Sequence, residues 1–285
     1  MKISIINKTL RYSITFIFLC VPYLINAQDS IFELADRLFE QKDYDNAALE
    51  YERIVYNSSS KEELNKALFR KAATYKKISN YSKASRDLER VYLFSLSQDL
   101  QEKYYYEKIL CYYLGGEFEK ASVTIEDMYL NIDSSQCSST LLLQVFVYNE
   151  LLRYQEAKTI ADKWVVTLEG NQDKIKKEID DIYKKLPKQK SEKLGRFLAY
   201  VPGLGHLYAG NTLEGISAFL LNASVLTFGV YNVITANYIT AYLGGAGILS
   251  GTYFGSYERA NLLIRKHNYK TSKAFNDKVR EHLLN

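Results

Sequence analysis

An aromatic residue followed three positions later by alanine recurs through the first half of the chain at nearly constant spacing. The four pairs are Tyr44 and Ala47, Tyr81 and Ala84, Phe118 and Ala121, and Tyr154 and Ala157. Successive alanines stand 37, 37 and 36 residues apart. A fixed period in the range of about 20–50 residues indicates a fold made of repeated units, each stacked on its neighbours. The pattern therefore predicts an elongated stack of similar units for this part of the chain.

Each unit is predicted to contain two helices. In the first unit, apolar side chains recur at helical spacing on both sides of a short polar turn at 41–43. They are Leu34, Leu38 and Phe39 before the turn and Ala47, Tyr51 and Ile54 after it. The alanine suits a point where two helix backbones approach closely, and the aromatic residue suits packing across the turn. Proline does not occur between Pro22 and Pro187, as uninterrupted helices require.

This arrangement resembles the tetratricopeptide repeat family over residues 28–167. The shared positions are a small or apolar residue in the first helix, the aromatic residue, the alanine, and a bulky residue four positions later. The units are longer than the usual repeat, and glycine occupies the turn only at Gly116. The resemblance implies an all-α solenoid of four degenerate repeats, followed at 168–194 by a capping helix and a basic linker. It also implies a curved groove that binds a protein or peptide partner.

Candidate groove residues lie on the first helix of a unit and are expected to point away from the packing face. They are Arg70, Tyr104, Tyr106 and Tyr113. Tyrosine and arginine anchor many protein interfaces. The alternative, which we favour for most of the tyrosines, is that they pack between helices.

The N-terminal segment predicts export. Lys2, Lys8 and Arg11 precede an apolar run at 12–25, and Ala27 follows it. A basic start, a short apolar middle and a small residue at the end are typical of a secretory signal, here residues 1–27. An uncleaved anchor is the alternative. Either would carry the repeat body across the membrane, so we expect it in the periplasm or an equivalent exported space.

A run of 43 residues from 215 to 257 contains no Asp, Glu, Lys or Arg. One membrane-spanning helix needs about 20 apolar residues. The run therefore predicts a two-helix transmembrane hairpin, with helices at about 214–233 and 239–258 joined by a turn at 235–238. A polar helix is expected at 266–285.

A Pro/Gly-rich motif stands before the first of these helices. Its residues are Pro202, Gly203, Gly205, Tyr208 and Gly210. With the apolar hairpin that follows, the motif resembles the two-transmembrane-helix domains of bacterial membrane proteins over residues 195–265. That resemblance supports the hairpin architecture and the membrane anchor.

The second predicted hairpin helix carries Gly247, Gly251 and Gly255, each four residues apart. Small residues at this spacing allow close packing of helices in membranes. The expected partner is the first hairpin helix, at Gly215, Ala218, Asn222 and Gly229. A second copy of the protein is the alternative, which would make the chain a homo-oligomer.

Charge is unevenly distributed. Residues 28–183 carry a net charge of −7 and residues 184–285 a net charge of +8. An acidic body argues against nucleic acid as its partner, whereas a basic tail favours contact with membrane lipids. Basic residues flank the hairpin on both sides, although the export signal would place them outside the cell's interior. A shallow hairpin whose flanks rest on lipid head groups is the alternative topology.

The sequence contains no recognisable catalytic motif, cofactor-binding motif or metal-ligand spacing, so we expect no enzyme activity, no cofactor and no metal. The predicted function is a membrane-anchored, exported adaptor or scaffold that binds another protein. The alternative is a membrane-active oligomer, a small pore or a lipid-handling module, formed through the glycine-striped hairpin.

Overall fold

The computed structural model describes residues 27–133 and 137–284. The chain is all-helical, as the sequence predicts, and the described residues include no strand. Residues 1–26 of the predicted export signal lie outside the described part. The chain divides into two compact units, residues 1–151 and 152–285.

The first unit consists of consecutive helices that pack mainly on the next helix in the chain. Contacts are therefore local in sequence, as expected where short turns connect antiparallel helices. The helices are α1 (Ala27–Glu40), α2 (Tyr44–Asn57), α3 (Lys61–Lys77), α4 (Tyr81–Glu89), α5 (Gln98–Leu114), α6 (Phe118–Asn131) and α7 (Leu141–Glu150). Short 3-10 turns at Leu93–Ser95 and Ser138–Thr140 connect α4 to α5 and precede α7.

The core of the first unit alternates large and very small side chains. Ala47, Ala84 and Ala121 have no exposed surface, and neither do Leu68 and Ile109. Each fully buried Leu or Ile contributes roughly 1.5–3 kcal/mol through removal of apolar surface from water. The alanines contribute less area but allow the neighbouring helix backbones to come close, which is the role that the sequence pattern predicts for them.

The turns inside the helix pairs share one backbone conformation. Lys42, Ser79 and Gly116 follow α1, α3 and α5, and their φ angles are 63°, 56° and 73°. These residues stand 37 residues apart. A left-handed residue at this place ends the helix and reverses the chain. Only one of the three is glycine, the residue that adopts this conformation without steric cost.

The residue after each left-handed position completes the turn. The φ and ψ angles are −84° and 71° at Asp43, −92° and 68° at Asn80, and −94° and 59° at Glu117. Each backbone N–H donates at 2.9 Å to the carbonyl oxygen five residues earlier, in Leu38, Tyr75 and Tyr112 respectively. This bond satisfies a carbonyl that the helix end would leave unpaired. The three turns are thus equivalent in hydrogen bonding as well as in angle.

We predict opposite effects for glycine changes at equivalent turns. Gly116→Ala should lower the free energy of unfolding by about 1 kcal/mol, because a Cβ is disfavoured at positive φ. No described atom lies within 4 Å of the added Cβ, so the effect comes from the backbone alone. Ser79→Gly should instead raise stability by up to about 1 kcal/mol. Urea unfolding followed by circular dichroism measures both, and equal signs would contradict a shared turn geometry.

The second unit combines several shorter helices with a long apolar helix and a very long C-terminal helix. Its elements are α8 (Tyr154–Val166), α9 (Gln172–Tyr183), α10 (Glu192–Ala199), α11 (Leu204–Ala209), α12 (Thr212–Ile234), α13 (Tyr238–Thr240), a π-helical segment (Ala241–Gly247) and α14 (Ile248–Leu284). Helix α12 packs against the π-helical segment and α14, while α10 and α11 pack against α14.

The C-terminal helix differs from the sequence prediction. A helix ending near 258 and a separate polar helix at 266–285 were expected, but α14 runs without a break to Leu284. Its last part returns to α8 and α9, where the Phe275 ring packs edge-on against Tyr154 at 5.1 Å and Tyr183 at 5.6 Å. Apolar side chains such as Phe275 and Val279 recur at helical spacing beyond residue 265, which keeps this part of the helix anchored.

Candidate functional site

A polar cavity of about 380 Å³ opens on the first unit, between α1, α2 and α3. Its lining residues are Asp36, Phe39, Glu40, Tyr51, Arg70 and Ala73. Arg70 is the one predicted groove residue that borders this cavity. A concave surface that combines apolar walls with a few converging polar groups is the usual form of a binding site.

Asp36 lines the cavity and binds two of the other lining residues. Its carboxylate accepts a hydrogen bond from the Tyr51 hydroxyl at 2.5 Å and an ion-paired hydrogen bond from the Arg70 guanidinium. Burial and the bond to Asp36 raise the pKa of Tyr51, and the bond to Asp36 raises the pKa of Arg70. The Arg70 guanidinium also lies 5.1 Å from the centre of the Phe32 ring. Because the pair is partly exposed, a carboxylate from a partner could replace Asp36 at Arg70.

The three predicted groove tyrosines lie in different environments. Tyr104 is 5% exposed, so the expectation that it points away from the packing face is wrong. Its ring packs edge-on against Tyr105 at 5.1 Å. Tyr106 is partly exposed, whereas Tyr113 packs against Phe118 at 5.8 Å and also contacts Phe146. Packing between helices, the alternative that we favour for most of them, therefore describes Tyr104 and Tyr113.

A buried lysine, Lys71, forms a charge network that the sequence analysis does not identify. Its ammonium donates to Glu52 at 2.6 Å and to Asp87 at 2.9 Å, and Arg90 binds the same two carboxylates. Burial alone would lower the pKa of Lys71, but the hydrogen bonds to Glu52 and Asp87 outweigh it and raise that pKa. The network joins α2, α3 and α4, so its role is to fix these helices together.

Glycines of the Pro/Gly-rich motif in the second unit occupy places that exclude a side chain. Gly203 has a φ of 94°, and a Cβ there would collide with the carbonyl oxygen of Gly215 in the second turn of α12. A Cβ on Gly205 would lie 2.8 Å from the Cβ of Ala260 and 2.9 Å from that of Ala199. The motif therefore holds α11 tightly against both α12 and α14.

Tyr208, the aromatic residue of the motif, binds the basic linker. Its hydroxyl accepts a hydrogen bond from the Ser191 backbone N–H at 2.9 Å, and its carbonyl accepts one from the Lys190 ammonium at 2.6 Å. The Asn268 side chain both donates to and accepts from the Lys190 backbone, at 2.9 and 2.8 Å. Gly210 ends α11 with a φ of 93°. These contacts give the motif a structural role in joining linker, α11 and α14.

His206 lies inside this motif and is 2% exposed. Burial lowers its pKa, which favours the neutral imidazole, and its Nδ1 has no hydrogen-bond partner among the described atoms. The described residues contain no group of three or more His, Cys, Asp or Glu side chains that could hold a metal ion. His206 is therefore a buried side chain near the N-terminus of α12, without a set of metal-ligating neighbours among the described residues.

Helices of the hairpin meet at Gly229, which the sequence analysis placed on the contact face, and at Gly245, which it did not select. A Cβ on Gly245 would lie 2.6 Å from the Cα of Gly229. Gly247, Gly251 and Gly255 were expected to face the first hairpin helix, but no described atom lies within 4 Å of a Cβ added at Gly251 or Gly255. That expectation is therefore wrong. Gly245 lies in the π-helical segment at Ala241–Gly247 and faces α12.

Polar and charged side chains form two links between the helices of the hairpin. The Thr252 hydroxyl donates to Asn222 Oδ1 at 3.0 Å, which links α14 to α12. Arg259 binds Glu214 through both carboxylate oxygens, at 2.9 and 3.0 Å, where the charge-free run begins and ends. These two links lie in register along the hairpin and set the alignment of its helices.

We predict that alanine has opposite consequences at two glycines of the hairpin. Gly245→Ala should reduce stability by about 1–3 kcal/mol, because the added methyl group meets backbone atoms of α12. Gly251→Ala should leave stability unchanged or raise it by up to about 1 kcal/mol, since alanine favours a helix and the space is open. The unfolding temperature of the full-length protein in detergent reports both. Equal losses would show that Gly251 has a neighbour inside the same chain.

The apolar surface of the hairpin faces outward. Helix α12 is long and apolar enough to cross a membrane, and only 11% of its most apolar window is buried. Leu213, Leu220 and Leu221 are more than half exposed, whereas the close contacts between helices involve glycine and alanine. A groove of about 660 Å³ with apolar walls runs between α12 and α14. In the hairpin the large apolar side chains lie outside and the small ones inside, whereas the first unit buries large apolar side chains in its core.

Comparison with known proteins gave no match: no family model, no curated protein and no solved structure is similar to this chain. A functional assignment therefore depends on the residues and geometry described above.

Proposed function

We propose that this chain is an exported, membrane-anchored adaptor whose helical repeats bind a protein or peptide partner. The observation that carries the proposal is the reversed arrangement of the hairpin in the second unit, where large apolar side chains face out and glycine and alanine lie between the helices. Water would strongly disfavour that surface, whereas a lipid bilayer accommodates it.

Dimensions support the membrane anchor. The 23 residues of α12 extend about 34 Å, enough to cross a hydrocarbon core of about 30 Å. The helical stretch that starts with α13 returns along α12, and the Arg259–Glu214 ion pair lies where both helices leave the charge-free run. That position suits the boundary between hydrocarbon and head groups. We propose that α12, α13, the π-helical segment and the start of α14 form the transmembrane hairpin.

Repetition of one turn supports the repeat body. Left-handed residues occur at Lys42, Ser79, Gly116 and Leu152, with spacings of 37, 37 and 36 residues. The residue after Leu152 has φ and ψ angles of −86° and 56°, close to those of the first three turns. Equivalent turns at a nearly constant spacing are what a tetratricopeptide-like array requires. The cavity around Asp36 and Arg70 then lies on the first helices, the side on which such arrays bind their partners.

Partner binding is favoured over catalysis by the chemistry of that cavity. Arg70, Asp36 and Tyr51 bind one another, and the pKa of Tyr51 is raised, away from the range in which it could act as a base at neutral pH. A half-exposed arginine over an aromatic ring is a common anchor for an acidic group of a partner protein.

Membrane anchoring is tested by washing membranes with alkaline carbonate. Full-length protein should stay in the membrane pellet. The double substitution Leu220→Asp and Leu221→Asp should release most of it, because each aspartate at the centre of a spanning helix costs about 2.5–3.5 kcal/mol. The control is Leu262→Asp with Tyr269→Asp, two exposed apolar residues of α14 beyond the charge-free run. Release of the unaltered protein by the wash would exclude an integral anchor.

Partner binding is tested by charge reversal at Arg70. Full-length protein is purified from its native membranes after mild cross-linking, and the proteins bound to it are quantified by mass spectrometry. Arg70→Glu should reduce the bound partner roughly tenfold, since loss of a desolvated charge pair costs well above 1 kcal/mol. Arg86→Glu, at an exposed residue of α4, is the control. A specific partner that is captured equally by both variants would place binding elsewhere on the protein.

A second candidate function is a membrane-active oligomer, a small pore or a lipid-handling module. The open space beside Gly251 and Gly255 favours it, because a helix of a second copy could approach closely there. Self-association through this face would leave capture of a partner by the repeat body unaffected.

A further inference from the structure

The outward-facing apolar surface of the second unit extends beyond the predicted hairpin, onto α10. Leu194, Phe197 and Val201 lie three and four residues apart, so they share one side of α10 and the turn that follows. They are 46%, 70% and 48% exposed. A side chain as large as Phe197 rarely stays this exposed in water when its neighbours on the same face are also apolar.

The opposite face of α10 packs against α14, so the helix cannot rotate to bury its apolar face. A Cβ on Gly195 would collide with the Ile264 side chain of α14, and Ala199 is only 3% exposed. Small residues on the inner face bring α10 against α14, so the large side chains have to point away from the protein. Ser191 fixes the start of the helix by accepting a hydrogen bond from the Leu194 N–H.

Two cations accompany the apolar face. Lys193 and Arg196 are exposed, and neither forms an ion pair with any residue in the described ranges 27–133 and 137–284. The one acidic residue of α10, Glu192, lies 3.6 Å from Arg265 of α14, which offsets its charge. A helix with an apolar face beside unpaired lysine and arginine is the typical form of a segment that lies in the plane of a membrane with anionic lipids.

The structure also fixes the position of α10 along the length of the hairpin. Gly203, just after α10, lies against the carbonyl of Gly215 in the second turn of α12. The Tyr253 hydroxyl donates to the Tyr200 carbonyl at 3.0 Å, which ties the end of α10 to α14. The segment is therefore held beside the base of α12, where the Arg259–Glu214 pair occurs.

We infer that α10 is an interfacial helix that binds anionic lipid head groups through Lys193 and Arg196, with the Phe197 side chain in the upper acyl region. This inference rests on the proposed membrane anchor, because the level of α10 is defined by the base of α12. The charge of the tail, +8 over residues 184–285, agrees with an anionic lipid surface as the occupant.

The position of α10 is tested with single tryptophans in the full-length protein, reconstituted into vesicles whose lipids carry bromine on the acyl chains. Trp164, the natural tryptophan, is replaced by Phe, and one tryptophan is placed at Phe197, Leu221 or Tyr269. Bromine near the head group should quench Phe197→Trp most strongly. Bromine deep in the chains should quench Leu221→Trp, at the middle of α12. Tyr269→Trp, farther along α14, should not be quenched at either depth.

The three tryptophan variants separate failure of the inference from failure of the proposed function. Quenching at position 221 without quenching at position 197 would overturn the interfacial helix and leave the anchor intact. Unquenched but blue-shifted emission from the Phe197→Trp variant would also overturn it, because another protein, such as a second copy, would then cover this face. Absence of quenching at both positions would overturn the anchor itself.

The lipid class is tested by placing bromine either on an anionic lipid or on a zwitterionic lipid, at equal mole fraction in the same mixture. One basic residue near a membrane surface changes lipid preference by about 1 kcal/mol, which is roughly fivefold. The anionic lipid should therefore be enriched by about fivefold or more around the tryptophan at position 197, and not around the one at position 221. Lys193→Gln with Arg196→Gln should return the enrichment at position 197 to about unity. Equal quenching by both lipids in the Phe197→Trp variant with Lys193 and Arg196 unchanged would overturn the preference for anionic lipid.

Discussion

Close approach of helix backbones at small residues determines where the larger side chains of the hairpin can go. Gly203 against Gly215, Gly205 between Ala199 and Ala260, and Gly229 against Gly245 leave no room for a side chain between the helices. The hairpin interior therefore contains almost no large apolar residue. Leucine, isoleucine and phenylalanine of the hairpin therefore point outward. The membrane proposal and the interfacial helix both follow from this constraint.

The first unit uses small residues in a different way. Ala47, Ala84 and Ala121 let the helices approach, but Leu68, Ile109 and similar residues fill the space around them. Its outer surface carries charge, and pairs such as Lys71 with Glu52 and Asp87 link neighbouring helices. The two halves of the chain thus differ in which side chains face outward, although both are all-helical.

Much of the local structure could be predicted from the sequence. The constant spacing placed the turn at 41–43 and the turn glycine at Gly116, but the left-handed conformation at Lys42 and Ser79 is known only from the structure, because neither residue is glycine. The charge-free run located α12 to within a few residues. These features depend on short stretches of chain, in which side-chain spacing and backbone preference decide the result.

Features that depend on the partner helix could not be predicted. Tyr104, Tyr105 and Tyr106 follow one another, so helical spacing alone does not say which ring faces α6. The glycine stripe was assigned to the wrong side because Gly245 and Gly251 stand six residues apart, on different sides of a helix, and spacing alone does not say which side meets α12. The sequence did not predict that α14 is unbroken. Its second half is mostly polar, and the few apolar residues that anchor it, such as Phe275, give only a weak pattern.

The continuity of α14 gives the second unit a mechanical property. Its 37 residues form a rod of about 56 Å without a proline, and Phe275 near its far end is held between Tyr154 and Tyr183. A rod of this kind acts as a lever. A tilt of roughly 10° at its N-terminal end displaces the other end by about 10 Å, given the rise of each helical residue. A movement of the hairpin would therefore reach α8 and α9 as a measurable displacement.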